Sequence, residues 1–384
     1  MAKKSASKKK ATKKKSSTKK KSTNKNFFDA GQMKFIEEYM NTYAPTGFEA
    51  AGQKVWLDYI KPYIDTHFVD NYGTVVGVIN PEAEFKVVIE AHADEIAWYV
   101  KYITSDGFIH VNRNGGSDHQ IAPAKRVHIH TKDKGLVDGV FGWPAIHVRP
   151  RSNEKKPTVS TIWVDTGCKD KKEVEALGIE VGNVVTFTEG FMEGNHGHWI
   201  ARAHDNRMGG VIIAEVARML KKNKKKLPFG LYIVNAVQEE VGLNGARMIT
   251  DTIKPNVAIV TDVTHDTTTP MMNKKAQGDA HVGKGPVLCV APAVHNILLD
   301  LMKDTAKKNK IPFQMQANSR VTGTDTDAFA FSNGGVPSAL ISLPLRYMHT
   351  TVETVHRDDV MNCIKLYYQT LLKLTPKTNF KYLK

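Results

Sequence analysis

The sequence predicts an α/β protein: a three-layer α/β/α domain split by an inserted small β-barrel or sandwich. Three observations carry this. Apolar runs such as Leu231–Val237 have the texture of strands buried on both faces. In both flanks such runs alternate with stretches of helical periodicity, as a sheet covered by helices requires. Between about Tyr102 and His198 the texture changes to short β-rich runs separated by turns, with little helical period. The division predicted is a tail over 1–26, a main domain over 27–101 and 199–384, and a β-rich insertion over 102–198.

At 384 residues the chain is long enough for two domains and a large core. Its formal charge of +15 belongs to one end. Residues 1–25 hold twelve lysines and no acid, which leaves 42 basic against 39 acidic residues elsewhere. Residues 1–26 cannot bury enough apolar surface to fold and are expected to be disordered. A lysine cluster of this kind binds polyanions, so a nucleic-acid arm is one reading. With no aromatic to stack on bases, a solubilising tail is favoured. The segment has no apolar core of a secretion signal, and no stretch of the chain reaches the ~18 uncharged apolar residues of a membrane span. Cys168, Cys289 and Cys363 lie far apart and form no Cys-x-x-Cys pair, which argues against a cysteine zinc site or a disulfide framework. Reduced thiols point to the cytoplasm.

From the amino end, residues 31–44 have helical periodicity with Phe35, Tyr39 and Met40 on one face, and Pro45-Thr46-Gly47 ends it. A second helix runs from Glu49 to about Tyr63. Strands follow at His67–Asp70, Thr74–Ile79 and Phe85–Ala91. In the insertion, strands are predicted at Gly107–Asn112, Arg126–Thr131, Gly135–Phe141, Thr158–Val164 and Val184–Phe187, with one helix at Lys171–Leu177. Its histidines, His110, His128, His130 and His147, with His196 and His198 beside it, lack partners at ligand spacing and are read as surface or packing residues. Met208–Lys222 is an amphipathic helix whose C-terminal lysines suit its dipole. Asn244–Thr252 is a helix and Val257–Val260 a strand. Gly285–Val290 begins a strand, Val294–Asn309 is a helix, Phe313–Ala317 a strand, Thr324–Phe331 a helix and Pro337–Leu343 a strand. Arg357 to about Leu374 closes the chain as a helix.

Chemistry in such sheets sits beyond the carboxyl ends of strands. Those positions carry His92 and Asp94, Asp205, Glu239 and Glu240, Asp262, and His349. Glu239 and Glu240 are adjacent, so their side chains diverge and suit different jobs, one binding a metal and one moving a proton. Asp94 follows His92 by two, on the same side, where a carboxylate can orient a ligating imidazole. Asp205 has the competing reading of a helix N-cap. Three carboxylates and two imidazoles, from His92, Asp205, Glu240, Asp262 and His349, suit two divalent ions of the Zn²⁺, Co²⁺ or Mn²⁺ kind. A shared carboxylate can hold such ions about 3.5–4 Å apart. A glycoside hydrolase, which uses two carboxylates without imidazole ligands, is poorly supported.

From about Phe28 onward the chain resembles the M42 metallo-aminopeptidases, a family that includes glutamyl aminopeptidases, tetrahedral aminopeptidases and proteins once labelled endoglucanase M. The matching motifs, in family order, are Ala91-His-Ala-Asp-Glu-Ile96, Asp205-Asn-Arg207, Val237-Gln-Glu-Glu-Val-Gly242, Thr261-Asp-Val263, Gly323-Thr-Asp-Thr-Asp-Ala328, Gly335-Val-Pro337 and Arg346-Tyr-Met-His349. The resemblance implies a metallopeptidase domain carrying a small β-domain that serves assembly and substrate access. It implies one metal on His92, Asp205 and Asp262, and the other on Asp205, Glu240 and His349, with Asp205 bridging. It implies Glu239 as general base and Asp94 as the carboxylate behind His92. Peptide substrates and a homo-oligomer, in many members a tetrahedral dodecamer, are implied as well. Ala93, Ala97 and Asn206 depart from the usual Met, Gly and Asp without removing a ligand; the lysine tail has no counterpart. The rival readings are a related dinuclear amidohydrolase, such as a deacylase or carboxypeptidase, and a nucleic-acid-binding protein acting through its tail. Asp325 and Asp327 are weighed as S1-pocket residues against helix capping, with capping preferred for Asp325.

Overall fold

A computed structural model describes residues 27–150, 152 and 154–383. The lysine-rich segment 1–26, and with it the polyanion-arm reading, lies outside the described residues. None of the described helices is long and apolar enough to cross a membrane.

Two helices open the fold, α1 (Ala30–Asn41) and α2 (Ala50–Ile60). Asp29 starts α1 in a reciprocal capping box with Gln32. Three strands follow, β1 (Thr66–Val69), β2 (Val75–Ile79) and β3 (Lys86–His92). Next come the strands of the insertion: β4 (Ala97–Ile103), β5 (Ile109–Asn114), β6 (Arg126–Thr131), β7 (Gly135–Gly142) and β8 (Trp163–Asp165), then α3 (Lys171–Ala176) and β9 (Val184–Phe187). The chain returns through β10 (Met192–Glu193), β11 (His198–Ala201), α4 (His204–Lys222), β12 (Gly230–Ala236), α5 (Asn244–Ile253) and β13 (Val257–His265). It finishes with α6 (Lys274–Gln277), β14 (Val287–Val290), α7 (Asn296–Lys308), β15 (Gln314–Ala317), α8 (Asp325–Ala330), β16 (Ser338–Leu345), β17 (Glu353–His356) and α9 (Arg357–Leu371).

The fold is the α/β arrangement expected. Eight strands form one sheet in the order β1-β2-β12-β3-β13-β16-β14-β15. Its centre, β12-β3-β13-β16, is wholly parallel. Every residue of β12 and β16 is buried, which explains their unbroken apolar texture. Helices α4, α7 and α9 pack on one face; α5 and α8 cover the other. The insertion closes into a six-stranded barrel, β4-β5-β8-β7-β6-β9, resolving the barrel-or-sandwich alternative. It has its own core around Trp98, Phe141, Val164 and Val185. Strand β4 went unread because it follows the His92 motif directly and its ladder with β5 slips between Val100 and Tyr102. A small sheet, β10-β11-β17, joins the entry of α4 to the carboxyl end of the chain; its two- to four-residue strands are too short to show a period.

Parallel strands all end on one edge, so β3, β12, β13 and β16 deliver His92, the Glu239–Glu240 turn, Asp262 and the His349 loop to the same side. Helix α4 lies against β3, and Gly209 permits the approach: a Cβ there would meet Asn206 Oδ1 and come within 2.9 Å of the Ala91 methyl. Gly209→Ala should therefore lose about 1–3 kcal/mol to overpacking, offset by up to about 1 kcal/mol of helix propensity. Urea unfolding should show a net loss; an unchanged or raised midpoint would mean that the helix simply shifts outward.

Candidate metal centre

His92, the last residue of β3, is 1% exposed. Its Nε2 lies 3.3 Å from Asp205 Oδ1, 3.8 Å from Glu239 Oε2 and 4.0 Å from Asp262 Oδ1. The other imidazole, His349, places Nε2 3.4 Å from Asp205 Oδ2 and 3.4 Å from Glu240 Oε1. The two oxygens of Asp205 thus face two different histidines. Ligand atoms of His92, Glu239 and Asp262 all lie within 4.8 Å of one another, as do those of His92, Asp205 and Glu240. All seven residues singled out in the sequence meet in this place. The histidines of the insertion do not: His128 pairs with Asp138, and His130 contacts Thr186 and the edge of Tyr43.

Asp205 is not a helix cap. The Asp205–Asn206 peptide is cis, and both residues have non-helical backbone angles within the first turn of α4. Its carboxylate faces the two imidazoles, and among the described residues no side-chain cap bond runs back to the helix. Asp94 is fully buried and organises the opposite rim. Its Oδ1 lies 3.3 Å from His92 Nδ1, close enough for an ion pair but not aligned as a hydrogen bond. Asp94 also accepts the backbone N–H of Glu239 at 3.0 Å and of Glu240 at 3.3 Å, and the Thr46 hydroxyl at 2.8 Å. One carboxylate thus fixes His92 and the turn that carries both glutamates.

His349 is aimed by the insertion. Its Nδ1 lies 3.2 Å from the Gly116 carbonyl, so Nδ1–H donates there and Nε2 is left to face the carboxylates. Gly116 has to be glycine, because a Cβ would sit 2.5 Å from His349 Nδ1. No motif in the sequence announced this contact, which joins residues 233 positions apart. Glu353 was also missed. It is 2% exposed and accepts the backbone N–H of Asp205 at 3.0 Å and of His349 at 2.7 Å. Its place in a short strand with no recognisable pattern hid it.

Two aspartates lie elsewhere than expected. Thr324, not Asp325, caps α8. Asp325 is 1% exposed beneath the cluster, facing Glu90, and neither carboxyl has a hydrogen-bond partner among the described residues. Asp327 accepts the N–H groups of Thr322 and Gly323 and closes that turn. The cleft over the centre, about 700 Å³, is lined by Thr322, Gly323 and Thr324 but by neither aspartate.

The charges cannot rest as they stand. Burial, reinforced by Asp262, Asp325 and Glu240 against the pull of His92, pushes Glu239 up to about 10. Burial likewise raises Asp262 and Glu240, and raises Glu90 to about 8. Burial opposes charge on His349, yet Asp205 and Glu240 carry it up to about 11. Among the described residues, these two imidazoles are the only cationic groups within ion-pairing distance of the four carboxylates. A buried set of oxygen and imidazole donors with a surplus of negative charge and no lysine or arginine fits divalent cations.

The fold belongs to a class of peptide hydrolases. A family model described as M42 glutamyl aminopeptidase matches residues 73–366. The lysyl aminopeptidase of Pyrococcus furiosus is 32% identical over 334 residues, 86% of this chain and 94% of the relative. A TET aminopeptidase from a marine sediment Thaumarchaeota archaeon superposes with a TM-score of 0.86 at 27% identity, covering 90% of this chain and 97% of that one. The TET1 peptidase of Pyrococcus horikoshii, which can assemble into a tetrahedron or a large octahedral shell, gives 0.78 at 25% identity, covering 89% and 100%. The chain belongs to the M42 peptidase family, and it is a hydrolase of peptide bonds.

Ligands must shed their protons to bind a metal. Loading the metal-free protein with Zn²⁺ should therefore release protons, and affinity should keep tightening as pH rises through neutrality toward the value of about 11 to which His349 is raised. Calorimetry in buffers of different ionisation enthalpy reads both; binding with no proton release would contradict the assignment.

Proposed function

We propose that the chain removes the N-terminal residue of peptides at a pair of divalent cations. His92, Asp205 and Asp262 would hold one cation, and Asp205, Glu240 and His349 the other. The observation that carries this is Asp205, with one carboxylate oxygen toward each histidine. The donors suit Zn²⁺ or Co²⁺, with Mn²⁺ a third choice. When bound, such a pair acidifies water and polarises a carbonyl.

The protein's own part is positioning and proton transfer. Glu239 shares the pocket of His92 and Asp262. Its carboxylate takes a proton from the attacking water and returns it to the leaving amine. His92 beside it pulls toward the ionised form that this needs, against the upward push of burial. Asp94 holds the Glu239 backbone and the His92 ring in fixed relation. The open cleft with Gln316, Asn318 and Thr322 on its walls receives the peptide.

We further propose a homo-oligomer, with a tetrahedral dodecamer as its form. Exposed Ile146, Val148, Leu136 and Val181 on the insertion support an apolar contact surface, and the P. horikoshii protein supplies the precedent. Three cysteines in no disulfide support a cytoplasmic location.

Glu239→Gln should lower kcat by about 10²–10⁴-fold while bound metal stays at wild-type content. Elemental analysis beside an aminoacyl-nitroanilide assay tests this; full turnover would remove Glu239 from the base role. N-acetylated nitroanilides should not be cleaved. Cleavage of them at similar rates would make the protein an amidohydrolase that needs no free amine.

A further inference from the structure

Glu353 is buried, yet it touches neither the cleft nor any of the cationic groups that usually hold a buried carboxylate. Instead it grips two backbone N–H groups, those of Asp205 and His349. These residues come from distant parts of the chain, Asp205 from the first turn of α4 and His349 from the loop between β16 and β17. Their side chains meet at 3.4 Å. Glu353 stands in β17, in register with Ala201 of β11, so it is anchored directly behind both loops. The backbone at His349 is in the left-handed region, φ 61°, which a non-glycine residue keeps only when something holds it. The Glu353 bond to the His349 N–H and the Gly116 carbonyl on its ring help to hold it, together with the turn in which Thr350 donates its N–H and hydroxyl to the Tyr347 carbonyl.

We propose that Glu353 is a positioning residue that sets the affinity of the half-site made by Glu240, His349 and the shared Asp205. The proposal rests on the dinuclear reading above. A carboxylate can accept from both N–H groups at once. A glutamine of the same shape keeps one acceptor and turns an NH₂ group toward the other N–H, so one loop is released. Loss of such an orienting partner weakens metal binding about 10–100-fold. The His92–Asp262 half-site shares Asp205 but has a support of its own in Asp94 behind His92, whereas the other half-site depends on Glu353 for both Asp205 and His349.

The test is stepwise titration of the metal-free full chain with Co²⁺, followed by calorimetry and by the visible absorption of the bound ion. Wild type should take two equivalents. Glu353→Gln should bind one equivalent within about threefold of wild type and the other about 10–100-fold more weakly. His349→Ala should lose that same equivalent, and adding Glu353→Gln to it should leave the remaining equivalent unchanged. The thermal midpoint of metal-free Glu353→Gln should stay close to wild type, and excess Co²⁺ should restore most of kcat. Two unchanged equivalents in Glu353→Gln, or equal weakening of both with a lowered midpoint, would overturn the positioning role. A wild type that takes only one equivalent would overturn the dinuclear reading itself. Should Glu353→Gln fail to give soluble protein, Glu353→Asp, one methylene short of spanning both N–H groups, decides by the same pattern.

Discussion

Buried like charge is the constraint around which this molecule is arranged. Asp205, Glu239, Glu240 and Asp262 converge at the floor of the cleft, largely withdrawn from water, with Glu90 and Asp325 buried nearby. Left alone, several of these groups take up protons, as the raised Glu239 and Asp262 show. A cluster of carboxylates and imidazoles of this kind fits divalent cations.

The surroundings read as means of enforcing that convergence. Backbone N–H groups, not lysines, restrain the acids: Asp94 takes those of Glu239 and Glu240, and Glu353 those of Asp205 and His349. A shell of fixed cations lies one layer out. Arg202 and Arg207 meet the buried Glu95 carboxylate and stack on Tyr43 and Tyr39. They lock the first helices to the entry of α4 without neutralising the centre. The inserted barrel is part of the same arrangement, since a carbonyl at its β5 end orients His349.

Most of the main sheet was legible in the chain, because buried parallel strands such as β12 and β16 are continuous apolar runs and amphipathic helices such as α4 separate them. The barrel strand β4 and the small sheet β10-β11-β17 were not. The first merges with the motif before it, and the others are too short for periodicity to show. The site divides in the same way. His92, Asp94, Asp205, Glu239, Glu240, Asp262 and His349 stand at strand ends, where the residue types and their family order single them out. Glu353 and Gly116 act through backbone groups or on them, and such contacts leave no signature in residue type. The capping reading of Asp205 failed because the residue stands inside the first turn of α4, after the Ala203 cap position; that of Asp325 failed because Thr324 takes the position.

Sequence alone therefore determined the α/β class and the presence of an insertion, since these depend on periodicity and local composition, and it singled out the seven strand-end side chains that the fold brings together. Tertiary structure decided which imidazole each oxygen of Asp205 faces, which carboxylates clamp the loops, and that the insertion reaches back to aim His349. Those matters turn on register between strands far apart in the chain. No local pattern encodes a distance between residues separated by hundreds of positions.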